Sequence, residues 1–213
     1  MNDNRNAREL KAIADASPKV VGITGGIGSG KTVATDALKQ AGFCVVDADE
    51  ISRALFAAGS DGEKRILKVF PSAKRRDGSL NRKKLRDIIS QDQTSKIKLN
   101  NLTHPFIIDE IKRRLAVALP PVVLSAPLLL ESALARLCDY TVCVYCPRNV
   151  KIARLTERDG VTHAQAEQII DAQIPDTERC TLSDFIIPSD VPIEQFRAET
   201  VELFKKIFKI TDN

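Results

Sequence analysis

Short apolar runs alternate along the chain with longer segments in which apolar residues recur every three or four positions. The runs predict five strands, over Val20–Thr24, Phe43–Asp47, Val122–Ala126, Tyr140–Tyr145 and Phe185–Ile187. The periodic segments predict helices, the first of which runs from Lys31 to about Ala41, where Gly42 ends it. Strands that alternate with helices favour a three-layer α/β fold, with helices on both faces of a five-stranded parallel sheet.

The segment between the second and third predicted strands has helical spacing only. We expect Asp61 to cap one helix and Asn81 to cap the next. Pro105 is expected near the start of a further helix, where its missing N–H costs nothing. Residues 61–115 are therefore predicted to form an all-helical insertion.

Two more helices are predicted after the fourth strand. The first covers 149–159, and Thr162 with Gln165 makes a capping box for a second that runs through Ala172. A terminal amphipathic helix begins at about Ile193. The predicted organisation is a polar leader over 1–17 and one domain over 18–213, made of a core (18–60, 116–148 and 180–213), the insertion (61–115) and a lid (149–179).

The composition narrows the class of protein. Hydrophobic residues are 43% and charged residues 28%, which is typical of a soluble globular protein. Aromatic residues are only 5% and Trp is absent, which argues against a stacking platform for nucleic acid. The most apolar stretch, 121–130, is too short for a membrane span, and the first residues lack the apolar core of a secretory signal. We therefore expect a cytoplasmic protein that binds neither membrane nor nucleic acid.

Basic residues are concentrated in the predicted insertion. Residues 61–115 contain 15 Lys and Arg against 7 Asp and Glu, although the whole chain carries a net charge of only +4. Such an excess suggests an anionic partner. Solvated helix faces account better for most of these side chains, so the excess alone does not define a site.

The five cysteines do not predict a metal site. Cys143 and Cys146 form a C-x-x-C, but they lie in a predicted strand, where an odd separation sends two side chains to opposite faces. No second such pair and no pair of histidines completes a zinc site. We expect buried strand cysteines instead.

A glycine-rich sequence follows the first predicted strand. Gly25-x-x-x-x-Gly30-Lys31-Thr32 matches the G-x-x-x-x-G-K-[ST] pattern of a phosphate-binding loop, with a strand before it and a helix after it. In such a loop backbone N–H groups close around phosphate oxygens. Lys31 is expected to reach the β- and γ-phosphates, and the Thr32 hydroxyl to bind Mg²⁺. The sequence therefore predicts a site for a nucleoside triphosphate and Mg²⁺.

Two carboxylates stand at the end of the second predicted strand. Asp47 and Asp49 are two residues apart, so in a strand they would share a face at the carboxyl edge of the sheet, where ligands bind. One of them is a candidate general base for an acceptor hydroxyl, or a group that orders Mg²⁺ through water. For Asp49, a helix cap is an equally good interpretation of the pattern.

Three basic residues are spaced to share one face of the predicted lid helix. Arg154 and Arg158 are four residues apart, and Lys151 precedes Arg154 by three. On a closing lid they would stabilise the charge of a transferred phosphoryl group. A solvated face balanced by Glu157 and Asp159 explains the same pattern.

Several motifs, taken together in order and spacing, resemble the dephospho-coenzyme A kinase family over about Val20 to Ile187. They are GITGGIGSGKT, VVDADEISR, DGSLNRKKLRDII, LNNLTHPFI, SAPLLLES and RLTERDGVTHAQAEQIIDAQIP. The resemblance implies a P-loop kinase fold with a helical substrate-binding insertion and a helical lid. It implies that ATP phosphorylates the ribose 3′-hydroxyl of dephospho-CoA, the last step of coenzyme A biosynthesis, in a monomer or weak homo-oligomer.

The same resemblance implies roles for individual residues. Asp49, Lys31 and Arg158 would be catalytic, with Asp49 the base and Arg158 the lid arginine that contacts phosphate. Asp47, Arg53, His104, Pro127 and Glu131 would bind the acceptor. The implied ATP-binding residues are Gly26, Ile27, Gly28, Ser29, Gly30, Lys31, Thr32, Val33 and Arg154, and Thr32 would hold the metal. Arg82, Lys83 or nearby basic residues are candidates for binding the acceptor's pyrophosphate.

The sequence departs from the family pattern near the last strand. There, residues 186–190 (IIPSD) replace the usual I-x-N-x-G, which leaves the adenine contacts open. Two structural interpretations also stay open: His104-Pro105 is a common helix start, and Glu131 could cap a short helix after it. The alternative functions are another small-molecule or nucleoside kinase, a GTPase-type switch, and an inactive nucleotide-binding protein. The switch lacks a guanine-reading N-K-x-D.

Overall fold

A computed structural model describes residues 18–210, so the leader predicted over 1–17 lies outside the described residues. The described chain divides into two compact units, one made of 18–46 and 118–210 and the other of Asp47–Val117. None of the helices within 18–210 is both long and apolar enough to cross a membrane.

Five strands form one sheet, and the prediction of a five-stranded parallel sheet is confirmed. The strands are β1 (Val20–Thr24), β2 (Cys44–Asp47), β3 (Val122–Ser125), β4 (Tyr140–Tyr145) and β5 (Phe185–Pro188), in the spatial order β2-β3-β1-β4-β5. β1 is central and pairs in parallel with both β3 and β4. Its carboxyl end therefore opens between two neighbours, and the glycine-rich sequence begins there.

Nine helices occur in the described chain. They are α1 (Lys31–Gln40), α2 (Ala48–Leu55), α3 (Asp61–Val69), α4 (Arg82–Gln91), α5 (Gln93–Val117), α6 (Arg148–Asp159), α7 (His163–Asp171), α8 (Asp176–Leu182) and α9 (Ile193–Phe208). Two 3₁₀ segments, Pro71–Ala73 and Ala133–Leu137, lie between them.

The first unit is a three-layer sandwich. Val21 and Ile23 of β1 join a core that includes Leu38 of α1 and Phe204 and Phe208 of α9, so these two helices cover one face of the sheet. Because successive strand residues alternate between faces, Gly22 and Thr24 point to the other face. A Cβ on Gly22 would lie 2.6 Å from Leu129, which shows how closely the segment after β3 packs there.

The second unit is helical, as predicted, and has a core of its own. Phe56, Ile66, Phe70 and Leu85 are buried together, and residues of α5 pack against them. This unit begins at Asp47, earlier than the boundary predicted at residue 61. The reason is that α2, which was assigned to the sheet core, packs against α5.

Two of the predicted helix caps are confirmed. Asn81 caps α4 by accepting from the backbone N–H of Lys84 at 3.0 Å, and Thr162 and Gln165 form the predicted capping box of α7. The cap predicted at Asp61 is wrong, because Ser60 accepts from the N–H of Glu63 at 3.1 Å. Asp61 is instead the first residue of the helix.

The helix start predicted at Pro105 is also wrong. Pro105 lies inside α5, a single helix of 25 residues. Leu99 and Leu102 before it and Ile107 after it pack against the same core. Burial on both sides thus offsets the hydrogen bond that proline removes.

Candidate active site

The glycine-rich sequence forms a loop that curls into the start of α1. Gly28 and Gly30 have φ of 74° and 93°, in the left-handed region that favours glycine. The N–H of Ser29 donates to the carbonyl oxygen of Gly26 at 3.0 Å, which closes the turn. Gly30 is the N-cap of α1, so Lys31 and Thr32 are its first residues. The predicted strand, loop and helix are therefore all present.

The loop lines a cavity of about 900 Å³ in the first unit. All nine residues predicted to bind ATP line it, together with Gly25, Pro127 and Arg158. Its remaining walls are Glu157, Gln173, Ser189, Val191, Ile193 and Phe196. The cavity therefore combines loop backbone N–H groups and cations with apolar side chains, and Phe196 lies close to the loop, 3.5 Å from a Cβ built on Gly30.

Lys31 is placed at the base of this cavity. Its Nζ donates to Oγ of Ser125 at 2.8 Å, and Ser125 is the fully buried last residue of β3. The half-buried ammonium therefore lies where the loop and the carboxyl end of the sheet meet. From there it can bind phosphate oxygens that the loop holds.

Arg154 of α6 hydrogen-bonds to the loop. Nη1 donates to the Gly28 carbonyl oxygen and to Oγ of Ser189, each at 3.1 Å, and Nη2 donates to the Ser189 carbonyl oxygen at 2.6 Å. Oγ of Ser189 in turn donates to the Ser29 carbonyl oxygen at 2.5 Å. The arginine predicted to bind ATP thus also contacts the loop, together with a serine that lies between the two residues, Pro188 and Asp190, at which the sequence departs from the family pattern.

The basic face predicted for the lid helix is only partly present. Arg154 and Arg158 line the cavity, but Lys151 is 1% exposed and pairs with Asp176, the first residue of α8. The three side chains are therefore not exposed together, because α8 covers Lys151. Arg158 is exposed and makes two bonds to Asp159, at 2.8 and 2.7 Å, which keep the pKa of Asp159 below its usual range.

The lid also contacts the loop directly. The N–H of Ile27 donates to Oε1 of Gln173 at 2.8 Å. A Cβ built on Gly26 would lie 3.2 Å from Asp176 and 3.3 Å from Nζ of Lys151. The loop is therefore packed on one side against the segment that joins α7 to α8.

The two candidate carboxylates do not share a strand. β2 ends at Asp47, and Asp49 lies in the first turn of α2. Asp47 is the helix cap, since its Oδ1 accepts from the N–H groups of Asp49 and Glu50 at 2.8 and 3.0 Å. The cap considered for Asp49 thus belongs to Asp47. Nε of Arg53, one turn later, donates to the Asp49 carbonyl oxygen at 3.3 Å.

Three other candidate residues of the second unit are all exposed. His104 is exposed on α5. Arg82 at the start of α4 donates to the carbonyl oxygen of Phe56, which ties α4 to the end of α2. Lys83 beside it is exposed. Arg82 is exposed as well, so exposure does not choose between these two candidates for binding the acceptor's pyrophosphate.

Pro127 and Glu131 flank the turn after β3 in the first unit. The carbonyl oxygen of Pro127 accepts from Oγ1 of Thr24 at 3.1 Å. Glu131 does not cap the next helical segment; Ser132 does, by accepting from the N–H of Leu134 at 3.3 Å. The Glu131 carboxylate instead lies 3.3 Å from Nη2 of Arg179.

Sequence reasoning missed several of these residues. It did not predict α8, which carries Asp176 and Arg179, or the apolar wall of Val191, Ile193 and Phe196. Pro175 followed by two acidic residues is the usual sequence signal for a helix start, and it marks α8. Nothing in the sequence alone indicates that the side chains of α8 contact the loop.

Comparison with known proteins agrees with this geometry. The sequence profile of the dephospho-CoA kinase family matches residues 19–195. The chain belongs to the dephospho-CoA kinase family. It is 38% identical to a dephospho-CoA kinase of Pseudoalteromonas translucida over 193 residues, which cover 90% of this chain and 92% of that protein.

Solved structures share the fold. A Thermus thermophilus protein superimposes with a TM-score of 0.79 at 25% identity, covering 92% of this chain and all of that one. A dephospho-CoA kinase from Campylobacter jejuni gives a TM-score of 0.68 at 24% identity, covering 89% of this chain and 97% of that one. The predicted family and the P-loop kinase fold are thereby confirmed.

Proposed function

We propose that the chain is a dephospho-CoA kinase, which uses ATP to phosphorylate the ribose 3′-hydroxyl of dephospho-CoA and so forms coenzyme A. The observation that carries this proposal is the intact phosphate loop, which lines a cavity of about 900 Å³ in a chain of this family. Such a cavity is large enough for a nucleotide.

The triphosphate of ATP would lie along residues 26–33. The loop N–H groups and the start of α1 present positive partial charge to it, and Lys31 adds a full charge. The adenine would lie against the apolar side chains Val191, Ile193 and Phe196, which line the same cavity. Arg154 would contact the nucleotide from α6.

The loop residues also suit Mg²⁺. Thr32 follows the loop lysine and places a hydroxyl in the cavity, and oxygen donors are the ligands that Mg²⁺ prefers. No group of three His, Cys, Asp or Glu side chains in the described residues makes a separate metal cage. Thr32 would hold a bound Mg²⁺, whose charge would offset that of the phosphate groups.

Asp49 is the proposed base, on the strength of the family motif that it matches. Its carboxylate would accept the proton of the 3′-hydroxyl as that oxygen attacks the γ-phosphorus and ADP departs with the bridging oxygen. Asp47 would help to position Asp49, because it caps the helix that begins with Ala48 and accepts from the N–H of Asp49. Arg53, His104, Pro127 and Glu131 are proposed to bind the acceptor.

Arg158 is the proposed phosphate-contacting arginine of the lid. It lines the cavity from α6, and its bonds to Asp159 pre-orient the guanidinium. Its charge would stabilise the equatorial oxygens of the phosphoryl group in transfer.

An acceptor panel tests this function. The protein is mixed with ATP, Mg²⁺ and one acceptor (dephospho-CoA, a nucleoside, shikimate or gluconate), and the products are identified by mass. We expect coenzyme A and ADP in equal amounts from dephospho-CoA, and little product from the other acceptors. Turnover of another acceptor without formation of coenzyme A would favour a different small-molecule kinase.

A further inference from the structure

Arg179 is a fully buried cation near the phosphate loop. Its side chain is 0% exposed, and it lies on α8 against the carboxyl end of β1. Burying a charge is costly, and a buried ion pair stabilises a fold less than apolar packing of the same size. The position of Arg179 therefore calls for an account other than stability.

One half of the guanidinium joins the turn after β3 to the start of the phosphate loop. Nη1 donates to the carbonyl oxygen of Pro127 at 3.1 Å and to Oγ1 of Thr24 at 3.4 Å. Thr24 itself donates to the same carbonyl oxygen. Since Thr24 immediately precedes Gly25, these bonds fix the beginning of the turn relative to the beginning of the loop.

The other half faces the end of the same turn. Nη2 lies 3.3 Å from Oε1 of Glu131, an ion pair that lacks the geometry of a hydrogen bond. The Glu131 side chain keeps 20% of its surface exposed. Arg179 thus holds a carboxylate that solvent, and hence a ligand, can still reach.

The helix that carries Arg179 is itself fixed beside the loop. Asp176, one turn earlier on α8, pairs with the buried Lys151, and both side chains border Gly26. Because Asp176 and Arg179 are three residues apart, they share one face of α8. This face contacts both the phosphate loop and the turn over 127–131.

We propose that Arg179 is a positioning residue that holds the turn over 127–131, and the Glu131 carboxylate above all, in a fixed place relative to the phosphate loop. The proposal rests on the proposed function, in which Glu131 binds the acceptor. Arg179 contacts neither substrate. It acts through Glu131, so that the acceptor hydroxyl is held in line with the γ-phosphate, where small displacements are costly.

The test is a double-mutant cycle in the full chain with Arg179→Met and Glu131→Ala. Steady-state kinetics give kcat and the KM for dephospho-CoA, and titration with a fluorescent ATP analogue gives nucleotide affinity. A remote substitution that displaces a reacting group by about 1 Å can cost about 100-fold in rate, so we expect a loss of about 10–100-fold. We expect Arg179→Met to lower kcat/KM for dephospho-CoA by that factor, with the nucleotide Kd within about 3-fold. In the Glu131→Ala background, Arg179→Met should lower kcat/KM for dephospho-CoA by less than about 3-fold.

Two further variants make the result specific. Arg179→Lys keeps a charge but loses the planar fork, so it should recover part of the lost kcat/KM. It also replaces Arg179→Met in the cycle if that protein does not fold. Arg197→Met is the matched control, because Arg197 on α9 also pairs with a glutamate (Glu194) and also has a buried Nε without a hydrogen bond.

The outcomes separate the two proposals. Equal kinetics for Arg179→Met and Arg197→Met, or losses that multiply in the double variant, would overturn the positioning role while the function stands. A wild-type protein that forms no coenzyme A would overturn the proposed function, and this inference with it.

Discussion

Oγ of Ser189 donates to the carbonyl oxygen of Ser29 at 2.5 Å and so connects the segment after β5 to the phosphate loop. The same oxygen accepts from Nη1 of Arg154. Ser189 is 2% exposed, so both bonds are shielded from water. A single hydroxyl therefore links the loop, the lid helix and the apolar wall of the cavity.

Replacing Ser189 by Ala should weaken ATP binding. The change removes the hydroxyl donor of the Ser29 carbonyl oxygen and one acceptor of Arg154 Nη1, which keeps its bond to Gly28, at about 1 kcal/mol for each bond lost. We expect the KM for ATP to rise about 5–20-fold, with kcat changed less. Ser189→Thr keeps the hydroxyl and is the control. Unchanged ATP affinity in Ser189→Ala would show that the hydroxyl does not support the loop.

Substitutions of Asp47, the last residue of β2, and of Asp49, in the first turn of α2, should have different effects. Asp49→Asn should lower kcat by at least about 100-fold with little change in stability, because only the proton acceptor is lost. Asp47→Ala should lower the free energy of unfolding by about 1 kcal/mol, because the helix loses its cap. Asp47→Asn should keep most of the wild-type stability, because Asn is also a good cap.

Activity and urea unfolding are measured on all three proteins. An Asp49→Asn variant with near wild-type kcat would remove Asp49 from the chemistry. The role of base would then pass to Asp47 or to another group.

The sequence predicted the sheet and the loop because their signals are local. Val20–Thr24 is mostly apolar, and the glycines at 28 and 30 adopt the positive φ angles that the loop requires. It could not place Pro105 inside α5, since the burial of Leu99 and Ile107 on either side of the proline is a tertiary effect. The same is true of Lys151: helical spacing groups it with Arg154 and Arg158, but its burial by α8 is a tertiary effect.

The candidate site was predicted in part. The loop residues follow from a motif, and they do line one cavity. Arg179 and Ser189 are brought to the loop by elements far away in the chain, so no spacing in the sequence connects them with it.

Glu63 should make the stability of the second unit depend on pH. Its buried carboxylate accepts from the N–H groups of Leu80 at 2.9 Å and Gly59 at 2.6 Å, which keep the pKa of Glu63 below its usual value of 4.5. The stabilisation is therefore complete above about pH 4.5 and is lost as pH falls through the lower pKa of the folded state.

Urea unfolding between pH 7 and pH 3 measures this effect. Glu63→Gln should lower the midpoint at pH 7 and should show a weaker loss of stability on acidification than the wild type. Asp61→Asn on the same helix removes an exposed ion pair and should have a much smaller effect. Parallel pH profiles for the wild type and Glu63→Gln would contradict this assignment.

The cysteines should differ sharply in reactivity. Cys44 is exposed, whereas Cys143 and Cys146 are buried. Burial raises the pKa of the Cys143 thiol, and burial also raises the pKa of Cys138 to about 12, so neither forms much thiolate near neutral pH. We expect Ellman's reagent at pH 8 to modify one thiol rapidly in the native protein and none rapidly in Cys44→Ser. A rapid phase of the same amplitude in Cys44→Ser would contradict the assignment of Cys44 as the fast-reacting thiol.

The central claim is that the loop over 26–33 delivers the γ-phosphoryl group of ATP to one hydroxyl of dephospho-CoA. The most direct measurement follows a γ-phosphate label from ATP into the acceptor. Three reactions are compared: the wild type with dephospho-CoA, the wild type with its 3′-deoxy analogue, and Lys31→Ala with dephospho-CoA. Lys39→Ala, at the other end of α1, is the control variant.

We predict label in coenzyme A with the wild type and Lys39→Ala, none in the 3′-deoxy analogue, and a rate at least about 1,000-fold lower with Lys31→Ala. Label in the 3′-deoxy analogue, or an undiminished rate with Lys31→Ala, would contradict the account.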